Sequence, residues 1–122
     1  MKILILSSLA IAATFAYPAD PPSFNGKWQV HTSISGNESD QDCTFTQKDD
    51  VLSGNCTSDR GTFQISGTVN GSKVTWSYKS EYNGTPLTVK YEGAVDSTSK
   101  IKGNVNVPEF GAAGDFTATQ AK

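Results

Sequence analysis

The chain has 122 residues, of which 36% are hydrophobic, 18% charged and 10% aromatic, and its formal net charge is −2. That is one small domain's worth of sequence, too apolar for a disordered tail and unlike collagen or a coiled coil in composition. The acidic balance argues against a nucleic-acid-binding surface, and two cysteines with one histidine are too few soft ligands for a Cys/His zinc site.

Met1-Lys2 is a short basic start, and residues 3–16 form an apolar run relieved only by Ser7, Ser8 and Thr14. Thr14 and Ala16 supply the small-residue pair that signal peptidase reads. Residues 1–16 are therefore expected to be a signal peptide cleaved after Ala16, and the protein to be secreted or periplasmic. The run is too short to cross a bilayer and no later stretch replaces it, so no membrane span is expected. Residues 17–23 (YPADPPS) hold three prolines and read as an extended leader. Export makes the cysteines legible, because two cysteines in a small exported domain are usually a structural disulfide.

From residue 24 onward the sequence alternates with period two almost to its end. Phe24, Gly26, Trp28, Val30 and Ile34 fall on one face of a first strand, with Lys27, Gln29, His31 and Ser33 on the other. A tight turn at Asp49-Asp50 sets Gln47 opposite Leu52, Phe45 opposite Gly54 and Cys43 opposite Cys56. That register brings the two cysteines within disulfide reach, so a Cys43–Cys56 bridge is expected. Asn70-Gly71 and Asn83-Gly84 are strong two-residue hairpin signals, since both central positions need positive φ. Folding at the first sets Gly67 opposite Val74 and Ile65 opposite Trp76. Folding at the second sets Tyr78 opposite Val89, Trp76 opposite Tyr91 and Val74 opposite Gly93. A looser turn at 96–100 pairs Gly93 with Gly103 and Tyr91 with Val105. The last connection, around 108–114, is expected to bring Phe116 and Ala118 to face Val107 and Val105.

Eight strands result, at about 24–35, 41–48, 51–57, 61–69, 72–82, 85–95, 101–107 and 113–120. No stretch of residues 17–122 carries a helical stripe of useful length, so the class is all-β. A meander with one apolar face and no helix to cover it buries that face by closing on itself. The expected fold is a single eight-stranded antiparallel up-and-down barrel.

Gly26-Lys27-Trp28 on the first strand of such a barrel resembles the Gly-x-Trp signature of the lipocalin and avidin barrels, the calycins. The rhythm of residues 45–54 (FTQKDDVLSG), with Val69-Asn70-Gly71, Tyr91-Glu92-Gly93, residues 102–105 (KGNV) and 116–119 (FTAT), resembles small bacterial lipocalin-like domains. The resemblance covers residues 24–120, the expected barrel domain. It departs where calycins place a basic residue over the first-strand tryptophan. Here Thr119-Gln120 stands in that place, with Gln120 able to donate a hydrogen bond. Only Trp28 and Trp76 are present, too few for an avidin biotin pocket.

Catalysis is hard to support. The only histidine, His31, points outward, and no serine sits in a nucleophile elbow. Glu38, Asp40 and Asp42 cluster before the second strand without calcium-loop spacing, so no metal is expected. No glycine-rich phosphate cradle follows a strand, and no cofactor is expected. The better class is binding, because an eight-stranded barrel is either filled or holds one small ligand. Trp28, Phe63, Trp76, Tyr78 and Tyr91 are the candidate walls for a small apolar ligand, and the same rings equally serve to fill the interior. Gly54, Gly67, Gly93 and Gly103 each remove an inward side chain and favour the hollow alternative. A second alternative is a protein-binding module. Small exported barrels with one disulfide resemble periplasmic metalloprotease inhibitors, whose free N-terminal segment enters the protease, and residues 17–23 are the matching segment here. A monomer is expected in either case. Asn37, Asn55, Asn70 and Asn83 begin Asn-x-Ser/Thr sequons, which matter only in a eukaryotic secretory pathway.

Overall fold

A computed structural model describes residues 23–97 and 99–121. The expected signal peptide and all but the last residue of the expected leader lie outside the described residues. Eight strands follow in order: β1 (Gly26–Ile34), β2 (Asn37–Lys48), β3 (Val51–Ser58), β4 (Gly61–Asn70), β5 (Lys73–Tyr82), β6 (Thr85–Ser97), β7 (Lys100–Val107) and β8 (Ala112–Gln120). Each pairs antiparallel with the next, and β8 pairs back onto β1, closing an eight-stranded up-and-down barrel. No helix among the described residues is long and apolar enough to cross a membrane.

The hairpin chemistry explains most of the register. Asn83 and Gly84 both take positive φ, 51° and 80°, and place Tyr78 opposite Val89 and Trp76 opposite Tyr91. Asp49 takes φ 58°, and the β2–β3 pairing runs Gln47–Leu52, Phe45–Gly54 and Cys43–Cys56. The two cysteines are disulfide-bonded with Cα atoms 4.0 Å apart, and both side chains point into the barrel.

Three expectations are corrected. The β4–β5 turn is centred on Gly71-Ser72, with Gly71 at φ 64°, so Gly67 faces Trp76 and Val69 faces Val74. A Cβ on Gly67 would land on the Thr75 carbonyl and 2.7 Å from Trp76 Cα, so a glycine is required opposite the indole-bearing residue. In the β7–β8 pairing, Phe116 faces Gly103 and Ala118 faces Ile101. The chain reverses early there, because Pro108–Phe110 form a single 3-10 turn closed by left-handed Gly111. Finally, residues 37–40 are strand, where the expected second strand began only at residue 41. They pair with β1 from Asn37 onward, with the acidic side chains outside and Gln41 inside.

The barrel has two unlike ends. At one, which carries the β2–β3, β4–β5 and β6–β7 turns, Phe24 lies just before β1 and is 1% exposed. Its backbone N–H donates to Gln47 Oε1 at 3.0 Å, and its carbonyl accepts the Trp28 indole N–H at 3.0 Å. Asn25 Oδ1 accepts the Gln47 backbone N–H, and Gln120 Nε2 donates to the Asn25 carbonyl at 3.1 Å. Gln120 thus ties down the chain end, and the indole is satisfied by backbone. The other end, ringed by the β1–β2, β3–β4, β5–β6 and β7–β8 connections, is open.

Candidate functional site: a half-filled barrel

Rings run through the interior from the plugged end. Phe45 lies 6.5 Å from Trp28 and 5.0 Å from Trp76, centroid to centroid. Trp76 stacks on Tyr91 at 4.9 Å and meets Phe116 edge-on at 5.2 Å. Trp28 and Trp76 are 3% and 2% exposed, and this half is solid. Packing between Phe45, Tyr91 and Phe116 sets the Trp76 ring, and its buried Nε1 has no hydrogen-bond partner among the described residues. The glycines do not hollow this half. A Cβ on Gly54 or Gly103 would strike the carbonyl of Thr44 or Glu92, so they let adjacent strands bend close together.

Above Tyr91 the packing stops. A cavity of about 630 Å³ opens at the unplugged end. Of the five aromatic residues expected as walls, Phe63, Tyr78 and Tyr91 line it, whereas Trp28 and Trp76 lie in the solid half below. Aliphatic walls come from Ile34, Leu87, Val89 and Val107. Tyr82 and Phe110, 57% and 48% exposed, meet edge-to-face at the rim with centroids 6.0 Å apart.

The barrel wall is also incomplete here. β4 pairs with β5 only between Ser66–Asn70 and Lys73–Ser77, so residues 61–65 and 78–82 part company. Phe63 and Tyr78 stack across the opening at 4.8 Å. A recess lined by Arg60, Phe63, Lys79, Ser80 and Glu81 joins the cavity there, since all but Lys79 line both. At the β6–β7 seam, β7 ends at Val107 and leaves the Thr88 N–H without a strand partner. Glu109 takes its place, accepting the Thr88 N–H at 3.0 Å and the hydroxyl at 3.1 Å. The bond from the Thr88 N–H holds the Glu109 carboxyl below its ordinary pKa.

Polar residues form the floor. Thr32 and Gln41 are buried side chains that apolar-pattern reasoning did not single out. Gln41 Nε2 donates to Tyr78 Oη at 3.2 Å, Tyr91 Oη donates to Gln41 Oε1 at 3.4 Å, and Thr32 Oγ1 lies 3.4 Å from Tyr91 Oη. Burial raises the Tyr91 pKa far above that of an ordinary phenol, so the hydroxyl stays neutral. The signal for these residues was present: Thr32 and Gln41 fall at inward positions of their strands. It is masked because both are polar residues on otherwise apolar strand faces.

His31 stands outside the barrel, half exposed. Its Nδ1 lies 2.7 Å from Asp40 and its Nε2 2.7 Å from Glu38, and these bonds, Asp40 first, raise its pKa. Among the described residues, no group of His, Cys, Asp and Glu has the geometry to hold a metal ion.

No protein-family model and no curated protein matches the sequence. Solved structures do match. One is a redesigned β-barrel with TM-score 0.66 and 16% identity, covering 80% of this chain and 91% of that one. Another is a redesigned β-barrel, mFAP1, bound to DFHBI, with TM-score 0.60 and 18% identity, covering 79% of this chain and 94% of that one. At these identities the likeness concerns the fold, a closed eight-stranded antiparallel barrel.

Proposed function

We propose that the protein is an exported, non-enzymatic, lipocalin-like barrel that holds one small, largely apolar molecule at its open end. The observation that carries this reading is the cavity itself. Its volume of about 630 Å³ falls within the usual range of small-molecule sites, and apolar walls surround a few convergent polar groups. A redesigned β-barrel of similar fold is solved bound to DFHBI, which supports a ligand-binding reading of such a barrel. Export is supported by the Cys43–Cys56 disulfide, a bond that persists in oxidising compartments. A non-enzymatic role is supported by His31, which faces away from the cavity with both ring nitrogens engaged.

The test is native mass spectrometry of protein recovered from its own host, before and after denaturation, followed by titration of the stripped protein with Nile red. A co-purifying mass that departs on unfolding, and competes with Nile red, is the expected result. A ligand-free mass together with no Nile red binding rejects the reading.

A further inference from the structure

Resting on the proposal that the cavity binds a ligand, we infer the ligand's chemical class. It is a flat, uncharged aromatic molecule that enters with a hydrogen-bonding group foremost and seats that group among Thr32, Gln41, Tyr78 and Tyr91.

Three features of the site lead there. The first is shape. Phe63, Tyr78 and Tyr91 present rings whose planes differ by only 26° and 29° along the series. These rings stack on one another as an aromatic wall, and such a wall suits a flat π system, which gains by edge-on or offset contact beyond its buried area.

The second is the floor. Thr32, Gln41 and Tyr91 are 3%, 7% and 2% exposed, yet the Tyr91 hydroxyl lies 3.4 Å from both Thr32 Oγ1 and Gln41 Oε1. Hydroxyl hydrogen bonds ordinarily close to about 2.7–2.8 Å. These groups therefore hold one another loosely and keep capacity for a further partner. Tyr78 Oη accepts from Gln41 and retains its own proton to donate. A wholly apolar ligand would cover this floor without satisfying it, which is costly.

The third is charge. Asp59, Arg60 and Glu81 line the cavity and Lys79 joins them in the connected recess, while the Glu38 carboxylate is turned outward to His31, so neither sign of charge dominates. The floor itself carries hydroxyls and an amide and no charged group. A charged group of either sign reaching it would be buried without a counter-charge, at high cost.

Equilibrium dialysis at pH 7 with naphthalene, 2-naphthol and 2-naphthoate separates these terms on one ring system. 2-Naphthol, neutral at that pH, is expected to bind about tenfold more tightly than naphthalene, with 2-naphthoate weakest. In Tyr91→Phe the advantage of 2-naphthol over naphthalene should shrink severalfold. Gln41→Leu gives the same reading should Tyr91→Phe fold poorly. Equal binding of naphthalene and 2-naphthol, or tightest binding of 2-naphthoate, overturns the ligand class and leaves the binding reading standing. So does binding of Nile red with none of the three. If neither Nile red nor any naphthalene probe binds, the binding reading itself has failed.

Discussion

Trp76 and Tyr91 face each other across β5 and β6 with their rings stacked, centroids 4.9 Å apart and planes 11° from parallel. The pair marks the boundary inside the barrel. Trp76 belongs to the solid half, Tyr91 lines the cavity, and the phenol ring lies over the indole on that side.

Replacing Tyr91 by Ala removes that cover. A loss of about 3 kcal/mol in urea unfolding is expected, the ordinary cost of deleting a buried aromatic ring. Tryptophan emission should also move to longer wavelength, and the shift should persist in a Trp28→Phe background. Emission that stays blue, or a shift that vanishes with Trp28, would mean that Tyr91 does not shield Trp76.

Two glycines of the β4–β5 hairpin should respond very differently to alanine. At Gly71, φ is 64° and nothing lies within 4 Å of a new Cβ, so Gly71→Ala should cost only about 1–2 kcal/mol of backbone strain. At Gly67 the Cβ would collide with backbone of Thr75 and Trp76, which cannot yield without unzipping the sheet. Gly67→Ala should therefore fail to give a cooperative unfolding transition, or lower stability by more than 3 kcal/mol. Similar costs at the two sites would contradict the register described for β4 and β5.

The Cys43–Cys56 bridge spans a sequence separation of 13. On the chain-entropy account a loop of that size stabilises by about 3 kcal/mol. The Cys43→Ala/Cys56→Ala double variant should lose at least that much in urea titration, because two buried sulfurs also leave the core. Its secondary structure should persist, since the β2–β3 hairpin is set independently by the turn at Asp49.

Stability should also depend on pH through His31. Hydrogen bonds to Asp40 and then Glu38 raise its folded pKa above the ordinary 6.5. A raised folded value means the stabilisation is fully present below about pH 6.5 and is lost as pH climbs through the raised value. The effect should be small and weakened by salt, because the three side chains are largely exposed. The urea midpoint should fall across that window in the parent protein and stay flatter in His31→Asn. An NMR titration should place His31 above 6.5 and find it lower in Asp40→Asn. Parallel midpoint curves for parent and His31→Asn would dismiss the contribution.

Local chemistry in the sequence accounts for the closed meander, its β2–β3, β5–β6 and β6–β7 registers and the disulfide. A short turn fixes its own flanking pairs, and a one-residue slip would turn the apolar face to water. The β4–β5 and β7–β8 registers escaped because those slips were of two and four residues. An even slip keeps every side chain on its face and costs nothing in hydropathy. What decides between such registers is close approach: Gly67 against Trp76, and Gly114, whose Cβ would strike the Ser33 carbonyl on β1. The second of these contacts exists only once β8 has returned to β1 and closed the barrel.

The division into a solid and a hollow half belongs wholly to the tertiary structure. Trp76 and Tyr78 are two residues apart on the same face of β5, and alternation cannot distinguish them, yet one is sealed and the other lines the cavity. Period two tells inside from outside but carries no information about depth along the barrel axis. Depth follows from strand stagger, from Phe24 plugging one end and from β4 and β5 parting at the other. The polar floor arises in the same way. Thr32, Gln41, Tyr78 and Tyr91 come from four strands, and only closure brings their side chains to one level.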